Sequence, residues 1–409
     1  YGGIMIAPVD GILGTTTREV DVVIVGGGPA GATAAHELAK AGHDVVLLDR
    51  AGRIKPCGGA VPPQLMEDFE VPEELLVARI DTARIISPKG AHVDIPVGNG
   101  FVGMVDRDVF DEWLRERAAS EGATRITGSY ESFERDKQDR LVIRYREGGS
   151  RSGEVRTVRT RMLIGADGAL SRVARQALPE SAAKGKFVFA YHEVIASPAL
   201  EDKNFGSSRC DVYYEGGLSP DFYAWVFPHG DTTSVGTGSA IKGFSLRGAV
   251  SELRDRTGLD DVETIREEGA PIPMKPLPKW DNGKDIILAG DAAGVVAPSS
   301  GEGIFYAMTC GRFCAQAVDV ALETGDTREL SRARKRFLRA HGQVFWVLGV
   351  MQRFWYSNDT RRERFVRICE DRDVQELTFE GYMRKQLVRA RPLAHARIFQ
   401  TSQTDANLR

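Results

Sequence analysis

The sequence predicts a mixed α/β (α+β) fold: a parallel, nucleotide-type unit, an interleaved antiparallel sheet and a helical C-terminal region. Three observations predict it. Residues 20–49 form one strand–turn–helix–strand unit, residues 187–240 are strand-rich and hold most of the Tyr, Phe and Trp, and from Glu329 to about Arg397 helical spacing replaces strand signals. A chain of 409 residues, 42% apolar, can bury a core for two lobes or three. The net charge of −3 argues against nucleic acid as a main partner. The cysteines (Cys57, Cys210, Cys310, Cys314, Cys369) are odd in number and scattered, with no C-x-x-C. That pattern reads as reduced thiols in a cytoplasmic protein, not a disulfide framework or a metal site. Cys310 and Cys314 share a helix face and read as packing. No secretory signal precedes the first strand, and no apolar run approaches a membrane span. The glycine-dotted opening, residues 1–19, is taken as a tail.

In order, residues 22–25 are an apolar strand, 29–41 a helix stopped by Gly42, and 45–48 a second strand ending on Asp49. Residues 50–63 are too rich in Gly and Pro for regular structure. Short strands follow over 80–105, broken at 88–90 and 96–100. Val109, Phe110, Trp113 and Leu114 then mark a helix over 107–119. Runs at 124–134, 140–147 and 155–164 read as an antiparallel meander with a turn at Gly148 and Gly149. A helix is expected over 246–257, a buried strand over 286–289 and a helix over 303–324. Strand segments that return to one lobe imply discontinuous domains. The nucleotide-binding lobe takes 20–79, 107–185 and 281–327, a second lobe 80–106 and 186–280, and the helical region 328–409.

Gly26, Gly28 and Gly31 stand in G-x-G-x-x-G spacing between the first strand and helix. Gly26 suits the tight turn, Gly28 close approach of backbone N–H groups to a pyrophosphate, and Gly31 close helix–strand packing. Pro29 and Ala30 open the helix whose positive end faces that pyrophosphate. Asp49, followed by Arg50, closes the second strand where an acid accepts from a ribose diol. Two further stretches select the dinucleotide. In LIGADGALSRVAR a strand runs into Asp167 and Gly168. In ILAGDAAGVVAPSSGEGIFYA a strand runs into Gly290 and Asp291, then a loop through Pro298 to a helix opening at Gly301, Gly303 and Ile304. Asp291 suits a ribityl hydroxyl, and the helix end near Gly303 suits negative charge on a reduced isoalloxazine. NAD has no ribityl chain, so FAD is the expected cofactor.

Together with Arg107-x-x-Phe110-Asp111-x-x-Leu114, these motifs resemble the para-hydroxybenzoate hydroxylase-type flavoproteins over roughly residues 21–325. The resemblance implies a Rossmann-like FAD domain, a β-sheet substrate domain, and a flavin phosphate–ribityl contact for Arg107. The alternative for Arg107 is a surface helix position. No second G-x-G-x-x-G is present, so NADPH docks without its own nucleotide fold.

Within that group the chain is similar to the geranylgeranyl reductases, nearest the (bacterio)chlorophyll type. The residues that carry this are Lys55-Pro56-Cys57-Gly58-Gly59-Ala60, PDFYAWVFP over 220–228, GDAAGVVAPSSGEGI, and FVRICEDRDVQELTFEGYMRKQLVRARP near the C-terminus. The resemblance implies that NADPH reduces FAD. Successive isolated double bonds of a geranylgeranyl chain, on the pigment ester or the diphosphate, are then saturated to phytyl. Tyr223, Trp225 and Phe227 alternate along one strand, so they share a face and can line a tunnel with Pro228; a packed sheet core is the alternative. An isolated alkene needs a proton with the hydride. Cys57 (also placed by the flavin), Tyr223 and Glu302 are the candidate donors, with ordered water as another. Residues 328–397 hold 17 Lys/Arg against 8 Asp/Glu, beside Trp and Tyr. That bias suits peripheral contact with an anionic membrane surface, with a helical cap on the flavin domain as the alternative; the resemblance implies that the surface is the photosynthetic membrane, with other pigment-synthesis enzymes as partners. The rival activities are reduction of archaeal-type isoprenoid lipids, flavin monooxygenase or halogenase chemistry, and redox sensing without catalysis. A W-x-W-x-I-P stretch of the halogenase kind is absent.

Overall fold

The computed structural model describes residues 18–385 except 51, 99, 149–151 and 200; the side chains of 377–380 and 384 are also outside it. The tail over 1–17, Gly149 of the expected turn, and the helical and motif residues beyond 385 lie outside the described residues. The chain begins with β1 (Glu19–Val25), α1 (Pro29–Lys40), β2 (Val45–Asp49), β3 (Ala60–Val61), α2 (Pro63–Asp68), β4 (Leu76–Ile80), β5 (Thr82–Ile86), β6 (His92–Pro96) and β7 (Val102–Val105). It continues through α3 (Arg107–Ser120), β8 (Thr124–Arg135), β9 (Leu141–Glu147), β10 (Val155–Gly165), α4 (Arg172–Ala177), α5 (Pro179–Ala182), β11 (Phe187–Ala196), β12 (Arg209–Tyr213), β13 (Ala224–His229) and β14 (Thr232–Ser239). Then come α6 (Leu246–Thr257), β15 (Thr264–Pro273), β16 (Ile286–Leu288), α7 (Ile304–Thr324), α8 (Ser331–Trp355), α9 (Asp359–Ile368) and α10 (Arg372–Arg384).

β8, β2, β1, β10 and β16 lie side by side and parallel. The centre of β1 is fully buried, as Val22, Val23 and Ile24 require of a strand covered on both faces. The expected meander is a partial description. Residues 128–135 of β8 and 155–160 of β10 do pair antiparallel with β9. The first residues of β8 and the end of β10 instead belong to the parallel sheet. Long strands whose two halves have different neighbours cannot be told from simple hairpins by alternation alone. The tail also ends earlier than expected, since Arg18 pairs with Asp44 at 3.0 Å and β1 starts at Glu19.

The second sheet runs β15-β11-β14-β13-β12-β5-β6, antiparallel except where β12 meets β5. A third, β3-β7-β4, bridges the two. α1 and α7 meet backbone to backbone, because a Cβ on Gly311 would lie 2.3 Å from the Ala30 carbonyl oxygen. Cys310 and Cys314 are fully buried there, Cys314 donating to the Leu288 carbonyl. α7 stops at Gly325, which takes the left-handed conformation (φ 73°). Among the described residues no helix is long and apolar enough to cross a membrane.

Candidate functional site

A cleft of about 320 Å³ opens at the C-terminal ends of the parallel strands. Gly26, Gly28, Pro29, Ala30, Asp49, Arg50, Lys55, Asp167, Gly168 and Asp291 all line it. The first turn is filled where the chain packs and open where a ligand approaches. A Cβ on Gly31 would stand 1.8 Å from the Gly26 carbonyl oxygen, and one on Gly26 would stand 2.1 Å from that of Ala166. At Gly28 nothing lies within 4 Å. Asp49 accepts from the Gly27 N–H at 2.9 Å and has Arg115 at 3.5 Å. These residues fit a dinucleotide: bare backbone at a helix N-terminus, an acid at the end of the second strand, and arginines along the wall.

Asp167 lines the cleft but spends its carboxylate locally. It accepts from the Ser171 hydroxyl at 2.5 Å and from the Arg172 and Val173 N–H groups at 2.7 and 3.2 Å, at the start of α4. Burial pushes its carboxyl up, against those hydrogen bonds. Asp291 is paired with the Lys55 ammonium, which joins the 55–60 loop to the start of the 290–303 segment.

That loop lies against β13 of the seven-stranded sheet. The Gly59 N–H donates to Cys57 Sγ at 3.2 Å. The Phe227 ring lies where a Cβ on Gly58 would meet it at 3.2 Å. His229 holds the Gly58 carbonyl at 2.9 Å and Asp106 at 3.2 Å. Arg107 is 6% exposed, which rules out the surface alternative. It makes a two-pronged pair with Asp111 at 2.7 and 2.9 Å and lies beside the Cys57 side chain. Burial opposes its charge, but Asp111 and Cys57 outweigh that and raise its pKa.

Tyr223 precedes β13 rather than lying in it, yet the aromatic row exists. The Tyr223 and Trp225 rings are 5.9 Å apart, and Trp225 and Phe227 are 6.1 Å apart. Trp225 is 6% exposed and donates to the Ser234 hydroxyl at 3.0 Å. Pro228 is a correction: strand alternation puts it on the other face, with Ala224 and Val226. Tyr223 donates to the Ser300 carbonyl at 2.5 Å. Burial, then Tyr356, pushes its pKa up, so the hydroxyl keeps its proton at neutral pH. Pro298 and Ile304 are buried, Gly301 has φ 68°, and Gly303 precedes α7. Glu302 does not line the cleft. Its carboxylate is buried against Lys385, and burial pushes it up against that cation.

Sequence reasoning missed His229, Arg115 and Lys385. His229 directly follows the PDFYAWVFP run, and Arg115 lies on the predicted α3 helix, so both had a local signal. Lys385 lies within the C-terminal motif run, but nothing local names its partner, which is 83 residues away.

The model of the FAD binding domain family matches residues 19–201. A geranylgeranyl diphosphate reductase of Rhodobacter capsulatus is 55% identical over 378 residues, covering 92% of this chain and 95% of its own. A digeranylgeranylglycerophospholipid reductase of Methanopyrus kandleri is 31% identical over 353 residues, covering 80% and 84%. The solved structure of a geranylgeranyl bacteriochlorophyll reductase-like protein from Thermoplasma acidophilum matches with a TM-score of 0.79 at 22% identity, covering 92% of this chain and 99% of that one. The glycine cradle and the FAD binding domain match agree on the cofactor, and the 55% identity over nearly the whole length of the Rhodobacter capsulatus protein shows the rest: the chain is an FAD-binding oxidoreductase and belongs to the geranylgeranyl diphosphate reductase family.

Proposed function

We propose that the protein uses NADPH to saturate successive isolated double bonds of a geranylgeranyl chain, on the diphosphate or on a (bacterio)chlorophyll ester, giving the phytyl chain. The observation that carries this reading is the row Tyr223–Trp225–Phe227, which ends with the Phe227 ring against Gly58 in the loop beside the cofactor cleft. A row of rings offers a long apolar chain a continuous face. The cleft residues would hold FAD, which would supply two-electron chemistry between the nicotinamide and the alkene. Each turn adds two hydrogens across one C=C: a hydride equivalent from NADPH and a proton from a donor at the site, with NADP+ as the other product.

In this reading Gly26, Gly28, Gly31, Asp49 and Arg50 hold the adenosine and pyrophosphate, and Lys55 and Asp291 the ribityl region. Arg107 orients the 57–59 loop. Cys57, at the tip of that loop, and Tyr223, protonated and at one end of the row, are the candidate proton donors. The partition into flavin lobe (20–79, 107–185, 281–327) and substrate lobe (80–106, 186–280) belongs to the same proposal. So does peripheral attachment to a photosynthetic membrane, which the basic bias of residues 328–397 and the exposed Trp346 on α8 support.

The test is anaerobic incubation of the purified protein with NADPH and either geranylgeranyl diphosphate or the geranylgeranyl pigment ester, followed by mass analysis. Gains in steps of two hydrogens are expected. No gain on either, with gain on an archaeal-type unsaturated glycerolipid, would transfer the reading to that substrate class. No gain on any of them, with rapid peroxide formation in air, would point to an oxygen-using flavoenzyme.

A further inference from the structure

Glu302 stands between Gly301 and Gly303 at the N-terminus of α7, yet its side chain turns inward and is 6% exposed. One carboxylate oxygen meets the Lys385 ammonium, and the other is buried without a hydrogen-bond partner among the described residues. Lys385 follows α10 in the left-handed conformation (φ 57°), with its side chain 2% exposed. Its ammonium lies 4.0 Å from the Tyr382 ring centroid and 5.5 and 5.6 Å from those of Phe305 and Tyr306. Such a cage favours a cation that has lost its water. Other titratable groups face the pair from each surrounding element: Tyr306 on α7, His341 on α8, Tyr382 on α10 and Tyr223 before β13. Burial pushes the three tyrosines up and His341 down to about 4, so all four are uncharged at neutral pH. Asp291 and Lys55, paired with each other, lie on the cleft side.

A buried carboxylate beside this helix end would cancel the positive field that the helix offers a reduced ring. The ammonium removes that conflict, and the pair is neutral as a whole. We propose that Lys385 is a positioning residue of the flavin site: acting through Glu302, it neutralises and seats the carboxylate at the α7 N-terminus so that electron uptake by the ring there is not opposed. The proposal rests on the reading that the ring of FAD lies against that helix end. It also makes the C-terminal segment part of the redox site, which the general flavoprotein pattern does not contain.

The experiment measures the midpoint potential of the FAD-loaded full chain and its variants, by dye-coupled anaerobic reduction from mildly acidic to mildly alkaline pH. Lys385→Met leaves the carboxylate alone, so its potential falls below wild type, by more as pH rises and Glu302 ionises. Glu302→Gln leaves the ammonium alone, so its potential rises above wild type, by less as pH rises. Glu302→Gln with Lys385→Met returns close to wild type, and Lys385→Arg stays there. Potentials that move in the same direction for both single variants, or that do not move while FAD stays bound, overturn the proposal. If Lys385→Met is not recovered folded, Glu302→Gln and the neutral double variant still decide, since the first must lie above wild type and the second must fall back. Absence of alkene reduction by wild type would sink the proposed activity and leave this ordering of potentials untouched.

Discussion

Asp291 shows how one residue serves two neighbours. Its carboxylate ends a buried strand–turn segment, lines the cleft and holds Lys55 of the loop that carries Cys57. Asp291→Ala therefore removes a charge-assisted acceptor and frees the Lys55 loop together. A lost hydrogen bond to a charged group is worth about 1.5–3 kcal/mol, so FAD should bind roughly 10- to 100-fold more weakly. Flavin absorbance of the purified variant, before and after dialysis against FAD, measures this; full FAD content after dialysis would remove Asp291 from the cofactor site. The residue types at this site were legible as motifs. What the residues touch was not: Arg107 was expected to face the cofactor, and the structure puts it on Asp111 and beside Cys57. A guanidinium with five donors can serve several partners, and spacing along a helix shows only the one four residues on.

At the scale of elements, the cradle depends on how closely α1 and α7 approach. α1 is built from small residues (PAGATAA) because its neighbour comes within backbone contact at Gly311. Gly311→Val would force side-chain atoms into the Ala30 carbonyl and push α1 away from α7. Overpacking of this kind costs about 1–3 kcal/mol or more where backbone must move. The expected result is a lower melting temperature with weakened FAD retention, since Ala30, at the start of α1, lines the cleft; thermal unfolding with and without added FAD reads both. An unchanged melting temperature would mean that the two helices can separate freely. Element existence was well marked in the sequence: α6 spans the expected 246–257, capped by Ser245 and ended by Gly258. The double roles of β8 and β10 were not, since alternation records which faces are covered and not which strand lies alongside.

Across the whole molecule, the helical region does two things. Its inner face closes the core, where Phe337, His341 and Phe345 gather around Tyr306 of α7. Its outer face is basic and carries Trp346, 70% exposed. Both readings of this region, cap and surface contact, thus find residues in the structure. If the outer face meets a membrane, Trp346→Ser should weaken co-sedimentation with vesicles containing anionic lipid, and added salt should weaken binding for both proteins. Roughly one to two kcal/mol, or five- to thirty-fold in partitioning, is the expected size for one aromatic anchor. Equal binding by wild type and variant would leave only the cap.

By itself the sequence determined the glycine cradle, the strand–helix order, the cofactor class and the family resemblance, because each is written in short-range spacing that backbone sterics and periodicity enforce. Only the tertiary structure decided that Phe227 meets Gly58, that His229 holds the loop, and that Lys385 reaches Glu302. Those contacts join segments far apart in the chain. Which of them meet depends on how whole sheets and helices stack to bury their apolar faces, a choice that no local pattern records.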